Sequence, residues 1–355
     1  MYKPTVDIVV PVWNSPFETR ACLAAILAHT PDARLIVVDN GSSRETELML
    51  EEFSEPVGER GLFIKTERNI GLVPAINLGL ARSDSDFAMI VRPQVMVHDG
   101  WLKALLEAAE ATGAGILSPV FTGAGAPPLP TLAPGCTLME ICTVSFTALL
   151  MRREMLIMIG SFDESLDGGE WCLKEYVRRA AAGGYSACIT SRCMLKCDPE
   201  QIFGSFERRH EMLQNSRLAY LAVWGVNNHY VVYFGKETDA ADLGGTIDAI
   251  LSAARLGHRF TLLLHRCQYS DFRRKGWNGL HVGIELYRIS TLFTQRNLKR
   301  KLSALLDESP DMLAVRGSVG LQFPLIDTAI SMDELIATTL PNSGRLTTQT
   351  AEASA

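Results

Sequence analysis

No stretch of this chain approaches the ~20 consecutive apolar residues that a membrane-spanning helix needs, although hydrophobic residues make up 47% of it. An excess of positive charge is missing too. The formal net charge is −6, and arginine and lysine are scattered apart from short runs at Arg273–Lys275 and Lys299–Lys301. That argues against a nucleic-acid binder driven by phosphate neutralisation. The opening Met1–Thr5 shows none of the basic, apolar and small-residue zones of a secretory signal. These absences lead to the expectation of a cytoplasmic chain with no transmembrane segment, whose eight cysteines are mostly thiols.

Several catalytic signatures are lacking as well. There is no Gly-x-Ser-x-Gly elbow, no His-Glu-x-x-His and no Walker loop. Cys188, Cys193 and Cys197 cluster, but without the paired spacing or histidine partners of a zinc site, so they read as structural thiols. Gly123–Pro127 starts like a dinucleotide loop yet has neither a third glycine nor a following helix. No repeat of fixed period occurs.

What is present is an alternation of strand and helix patterns in 355 residues, enough for two domains. Val6–Val12 is a β-branched run stopped at Asn14-Ser15-Pro16, and Phe17–His29 carries Leu23, Ile26 and Leu27 at helical spacing. Leu35–Val38 is again a strand, running into the polar loop Asp39-Asn40-Gly41-Ser42-Ser43. This β-α-β unit predicts an α/β fold with a mostly parallel sheet, whose ligands sit outside the carboxyl ends of the strands. Further strands are expected at Leu62–Thr66, Phe87–Val91, Gly115–Phe121 and Cys142–Met151. Helices are expected at Leu72–Ala81, Gly100–Thr112 with Asp99 as N-cap, Arg153–Ile159, Glu170–Ala182 and Phe206–Trp224. The Gly- and Pro-dense Thr122–Pro134 predicts a loop.

From about residue 226 a smaller α/β unit is expected to run to 342, with strands at Tyr230–Phe234 and Phe260–His265. Its helices are expected at Leu243–Leu256, Leu280–Phe293 and Arg296–Leu306. The aperiodic 343–355 predicts a disordered tail.

Four pieces in order carry a resemblance. Val9-Val10-Pro11-Val12-Trp13-Asn14, then Val37-Val38-Asp39-Asn40-Gly41-Ser42, then Asn69-Ile70-Gly71 with Asn77, then Gly160-Ser161-Phe162-Asp163-Glu164 together resemble glycosyltransferase family 2 over about residues 5–225. The resemblance implies a GT-A fold with a nucleoside-diphosphate sugar as donor and a saccharide or glycoprotein as acceptor. It further implies inverting transfer to a hydroxyl, in the business of surface polysaccharide or glycoprotein synthesis. Pro11, Val12 and Trp13 can wall a nucleotide base, and Asp39 can accept its imide hydrogen or serve as a turn residue. Asn14 and Gly71 belong to the same nucleotide-sugar-binding set, while Asn69 and Asn77 either touch the nucleotide or hold loops.

The resemblance also implies Mg or Mn, held by a paired-aspartate motif at the end of a strand. Here that place reads Arg92-Pro93-Gln94-Val95-Met96-Val97, so the metal-binding acids are missing and no metal ligand is assigned. Gln94 stands at the main carboxylate position, and Arg92 either neutralises diphosphate itself or pairs with a surface carboxylate. Glu170 is the remaining acid where the family places its general base, with a helix-dipole role as its alternative. These readings leave three functions open: a glycosyltransferase, a catalytically degenerate module that binds nucleotide sugar or a partner without turnover, and an interaction module in which the C-terminal unit matters most. In the C-terminal unit, Leu243-Gly244-Gly245 and Leu256–Leu263 weakly resemble the first β-α-β of GT-B glycosyltransferases over about residues 240–265. A ligand site and a half-domain used for packing or homo-oligomer formation are both consistent with it.

Overall fold

The computed structural model describes residues 4–199, 205–290, 294–318, 320–324 and 326–339. The chain divides between Gly225 and Val226 into two compact units. The proposed tail at 343–355 lies outside the described residues.

In the first unit the elements run β1 (Val6–Val12), α1 (Pro16–His29), β2 (Arg34–Asp39), α2 (Arg44–Val57), β3 (Gly61–Lys65), α3 (Leu72–Leu80), β4 (Phe87–Val91) and β5 (Val95–Met96). They continue with α4 (Trp101–Thr112), β6 (Ile116–Thr122), β7 (Leu138–Glu140), β8 (Ala148–Arg152), α5 (Arg153–Ile159), α6 (Glu170–Ala182), β9 (Ala187–Cys197) and α7 (Phe206–Trp224). The sheet order is β3-β2-β1-β4-β8-β6-β9-β5, with β7 beside β9. The β3-β2-β1-β4 half is parallel throughout, and β8 enters antiparallel to both β4 and β6.

Strands buried on both faces explain the continuous apolar runs. On one face Ile8, Val10, Leu35, Val37, Met89 and Val91 pack with Leu23, Ile26 and Met49, and with the fully buried Trp101 at the start of α4. On the other, Val9, Ile36 and Val38 meet Ala75 of α3. Gly79 lets α3 lie close to the sheet, because a Cβ there would stand 2.4 Å from Val9 Cγ1.

Strand β9 carries a β-bulge. Pro119 of β6 pairs with Thr190, but the next residue, Val120, pairs with Met194. A proline inside a sheet, which cannot donate to the ladder, fits at such an irregularity. Cys188, Cys193 and Cys197 are all buried in the core beside these strands, and all eight cysteines are free thiols.

The second unit contains β10 (His229–Tyr233), α8 (Gly244–Arg255), β11 (Arg259–Leu264), α9 (Arg266–Arg274), β12 (Ile284–Arg288), α10 (Thr294–Glu308), β13 (Leu313–Arg316), β14 (Ile330–Ser331) and α11 (Met332–Thr339). Its sheet has the order β12-β11-β10-β13-β14, every pair parallel.

Three local expectations need correction. The helix expected over Leu280–Phe293 is strand β12 in its middle part, and 291–293 lies outside the described residues. Short apolar runs do not separate the two periods, and pairing with β11 decides the matter here. The strand expected over Cys142–Met151 begins only at Ala148. Asp99 does not cap α4. Gly100 holds that position at φ 74° with no side-chain cap, and the Asp99 carbonyl is paired with His98 Nδ1 at 2.8 Å.

Candidate functional site

At the carboxyl end of β1 the chain turns through two consecutive left-handed residues, Asn14 (φ 57°) and Ser15 (φ 56°). Non-glycine residues enter that region at a cost, least for Asn. Asn14 is held there by its neighbours: its N–H donates to Ser42 Oγ (2.9 Å) and its Oδ1 accepts from Ser43 N–H (2.8 Å). The loop after β1 is thereby tied to the loop after β2.

The β2 loop is tied in turn to the segment before α3. Asn40 is buried and imitates backbone on both sides. Its Nδ2 donates to Asn69 Oδ1 (3.1 Å) and to the Gly71 carbonyl (3.0 Å), and its Oδ1 accepts from Ile70 N–H (2.9 Å). Asn69 Oδ1 also accepts from Gly71 N–H at 2.8 Å. Gly41 sits at φ +67°, where a Cβ would lie 2.3 Å from the Arg68 carbonyl carbon, so two backbones touch. Asp39 is buried, and its Oδ1 accepts from Ser42 N–H at 3.0 Å, an Asx-type turn.

These straps frame a cavity of about 390 Å³ at the strand ends. Of the residues singled out from sequence, Pro11, Val12, Trp13, Asn69, Arg92 and Gln94 line it together. Asn14, Asp39 and Gly71 shape the frame rather than the lining. Asn77 stands apart: its Nδ2 donates to the Phe162 carbonyl (2.9 Å) and Glu164 Oε1 (2.8 Å), and its Oδ1 accepts from Phe162 N–H (3.1 Å). It fastens the Gly-Ser-Phe-Asp-Glu turn to α3.

Sequence reasoning passed over Ser15, Glu18, Asn40, Leu72, Pro93, Gly168, Pro199 and Arg209, which also line the cavity. Asn40 was visible as part of a turn-forming loop, but its three bonds to a segment thirty residues away were not. Arg209 arrives from the first turn of α7, a tertiary approach with no local signal.

The segment that would hold a cation is built otherwise. Arg92 is half-buried, with its N–H donated to the Thr147 carbonyl and its carbonyl accepting from Val95 N–H, both at 3.0 Å. The carbonyl of Gln94 accepts from Asp198 N–H at 3.0 Å. His98 is engaged through Nε2 with the Met194 carbonyl (3.0 Å). Glu18 is the acid among the lining residues, and Asp198, which shares a smaller hollow with Glu18 and Gln94, is paired with Lys196 Nζ at 3.1 Å. Among the described residues no group of three or more His, Cys, Asp or Glu side chains is placed to hold a metal. Hard divalent cations want several oxygen donors, preferably charged. The donor set at this strand end does not fit one.

Helix α6 begins behind the cavity. Buried Asp167 caps it, with Oδ1 accepting from the N–H groups of Trp171 (2.8 Å) and Cys172 (3.3 Å) and Oδ2 from Gly169 N–H (3.1 Å). A carboxylate at this end also meets the positive pole of the helix. Glu170 is left with its side chain half exposed, its Oε1 2.6 Å from Lys174 Nζ. Gly168, two residues before it, lines the cavity, while Glu170 itself does not.

Residues 7–133 match the family Glycosyl transferase family 2. Over that span the chain resembles the glycosyltransferases of family 2. Its residues are 24% identical to Glycosyltransferase AglE of Haloferax volcanii over 219 residues, covering 58% of this chain and 70% of that protein. A shorter match, 30% identical over 101 residues, joins it to Glycosyltransferase GlyA of Streptococcus pneumoniae, covering 28% of this chain and 14% of that one.

Solved structures resemble this chain in fold. GalNAc-T7 with UDP, GalNAc and Mn2+ has a TM-score of 0.53 at 14% identity, covering 62% of this chain and 48% of the other. The mannosyltransferase PcManGT of Pyrobaculum calidifontis, in complex with GDP-Man and Mn2+, has a TM-score of 0.51 at 13% identity, covering 87% and 82%. The fold is GT-A, an α/β sheet flanked by helices. Among the described residues no helix is long and apolar enough to cross a membrane.

Proposed function

We propose that the N-terminal unit is a glycosyltransferase that binds a nucleoside-diphosphate sugar over the ends of β1, β2 and β4 and transfers the sugar to an acceptor hydroxyl with inversion. The observation that carries this reading is the strand-end cavity, where Pro11, Val12, Trp13, Asn40, Asn69, Arg92 and Gln94 converge. Pro11, Val12 and Trp13 give the base an apolar wall, and the polar groups opposite supply direction. Asp39 and Asn14 hold the wall in place. A surface polysaccharide or glycoprotein is the acceptor that fits the family's usual business.

In the transfer, Glu170 accepts the proton of the acceptor hydroxyl as its oxygen attacks the anomeric carbon. The bond from that carbon to the β-phosphate oxygen breaks, and nucleoside diphosphate leaves with the electron pair. Glu170 stands at the start of α6 beside the cavity rim, and acceptor binding has to bring the hydroxyl to it. The pairing with Lys174, and the neutral Gln94 where an acid would hold metal, favour a second reading: a module that binds nucleotide sugar without turnover.

One comparison separates the two. With donor bound, E170Q is expected to lower donor hydrolysis and transfer by at least about 100-fold while leaving nucleotide affinity unchanged. Equal turnover by wild type and E170Q removes Glu170 as the base, and no turnover by either favours the binding module.

A further inference from the structure

We infer that this site grips the donor's diphosphate with two guanidinium groups, Arg92 and Arg209, in place of a divalent cation. The inference rests on the donor-site reading above and names the chemistry of that site's anion-binding half. Two independent elements deliver the charges to one cavity: Arg92 from the end of β4 and Arg209 from the first turn of α7.

The placement of α7 is fixed by α6. Ser216 Oγ accepts from Asp167 N–H at 2.8 Å, and Arg178 Nη1 donates to Tyr220 Oη at 3.1 Å. Arg209 is therefore presented by a packed helix, though its own side chain is exposed. Half-buried Arg92 is held by its backbone bond to Thr147.

The charges balance in kind. A diphosphate diester carries roughly two negative charges, and a guanidinium fork meets phosphate oxygens with two parallel bonds. Among the described lining residues, Glu18 is the opposing charge. A single carboxylate is too few for a Mg or Mn site, and it sets the net charge of the lining below that of the two arginines. A cavity built this way binds its anion in the presence of chelator and weakens as salt screens the pairs.

The test is calorimetry of UDP and of GDP with the full chain, in EDTA and in excess Mn2+. Expected is binding of one nucleotide with the same Kd, within about twofold, in both buffers. Each of R92M and R209M is expected to weaken that Kd about tenfold or more, with R92K and R209K recovering part of the loss. Melting curves on each variant confirm that it is folded, and R92K carries the test if R92M is not. E18Q is expected to tighten binding.

A tenfold or greater gain of affinity from Mn2+ overturns the inference while the donor-site reading stands. So does unchanged affinity in R209M, or a Mn2+-dependent loss in E18Q. Failure of both nucleotides to bind under every condition overturns the inference and the donor-site reading together.

Discussion

The two units obey the same rule of parallel β-α-β construction, and their strand ends are finished in opposite ways. In the first, side chains are spent on holding loops apart. Asn40 and Asn14 satisfy loop backbone groups at a distance, and the space between the straps stays open. In the second, a side chain crosses the strand ends. Gln268, 2% exposed, donates through Nε2 to the carbonyls of Gly235 (2.7 Å) and Thr238 (2.8 Å), and its Oε1 accepts from His265 N–H (2.9 Å). Tyr233 Oη meets His265 Nε2 at 3.2 Å across the same ends. Topology offers a crevice at such a place. Whether it becomes a site depends on which loop amides the side chains satisfy.

The largest effect should come from forcing the open unit's straps apart. Gly41→Ala puts a Cβ 2.3 Å from the Arg68 carbonyl carbon at φ +67°. A destabilisation of about 3 kcal/mol or more follows from the clash and the left-handed backbone. Nucleotide affinity should fall with it, and urea unfolding read by peptide-resolved hydrogen exchange locates the loss in the first unit. A neutral outcome would mean the two backbones have room to separate.

Acid probes the closed unit. His281 is wholly buried, and its pKa is pushed down to about 4 by burial and then by the charge of Arg255. Its folded value lies below the ordinary 6.5, so between those values the unfolded chain binds the extra proton. Stability is then complete above about pH 6.5 and declines as pH falls toward 4, by up to about 3 kcal/mol. Buried His229, also shifted down chiefly by burial, adds in the same direction. Hydrogen exchange across that pH range should show the second unit loosening, and His281→Asn, which keeps an acceptor for Gly283 N–H, should flatten the dependence.

The smallest effects draw the finest line. Asn40→Ala leaves part-buried loop groups unpaired, at a cost of about 1 kcal/mol, and Gln268→Ala leaves the buried Gly235 carbonyl unpaired, at a cost of about 2 kcal/mol. Asn40→Ala is also expected to weaken nucleotide binding about tenfold, whereas Gln268→Ala should leave the Kd within about twofold. A loss of affinity in Gln268→Ala would erase the distinction between the units.

Much of the scaffold was legible because its periods are clean. Val6–Val12 reads as a buried strand, and the expected Phe206–Trp224 helix coincides with α7. Strand β9 was not legible, because its bulge interrupts the alternation between Thr190 and Met194. Nor was β12, whose Ile284 and Leu286 fit either period until β11 pairs with them. At the site, the strand-end residues announced themselves by motif. Asn40 stood in a motif, but its hydrogen bonds to distant backbone were not legible, and neither was Asp167, whose capping role depends on where α6 begins.

The bulge in β9 has a consequence for how this cavity can change over generations. Beyond it, the Met194 carbonyl holds His98, and Asp198 N–H holds the Gln94 carbonyl. The surplus residues between Thr190 and Met194 thus act as slack in a cord tied to the Arg92–His98 wall. A change of length there that the bulge failed to absorb would slide both anchor points, and the neighbouring lining residue Pro199, along β6. A lineage could reshape this cavity by length alone.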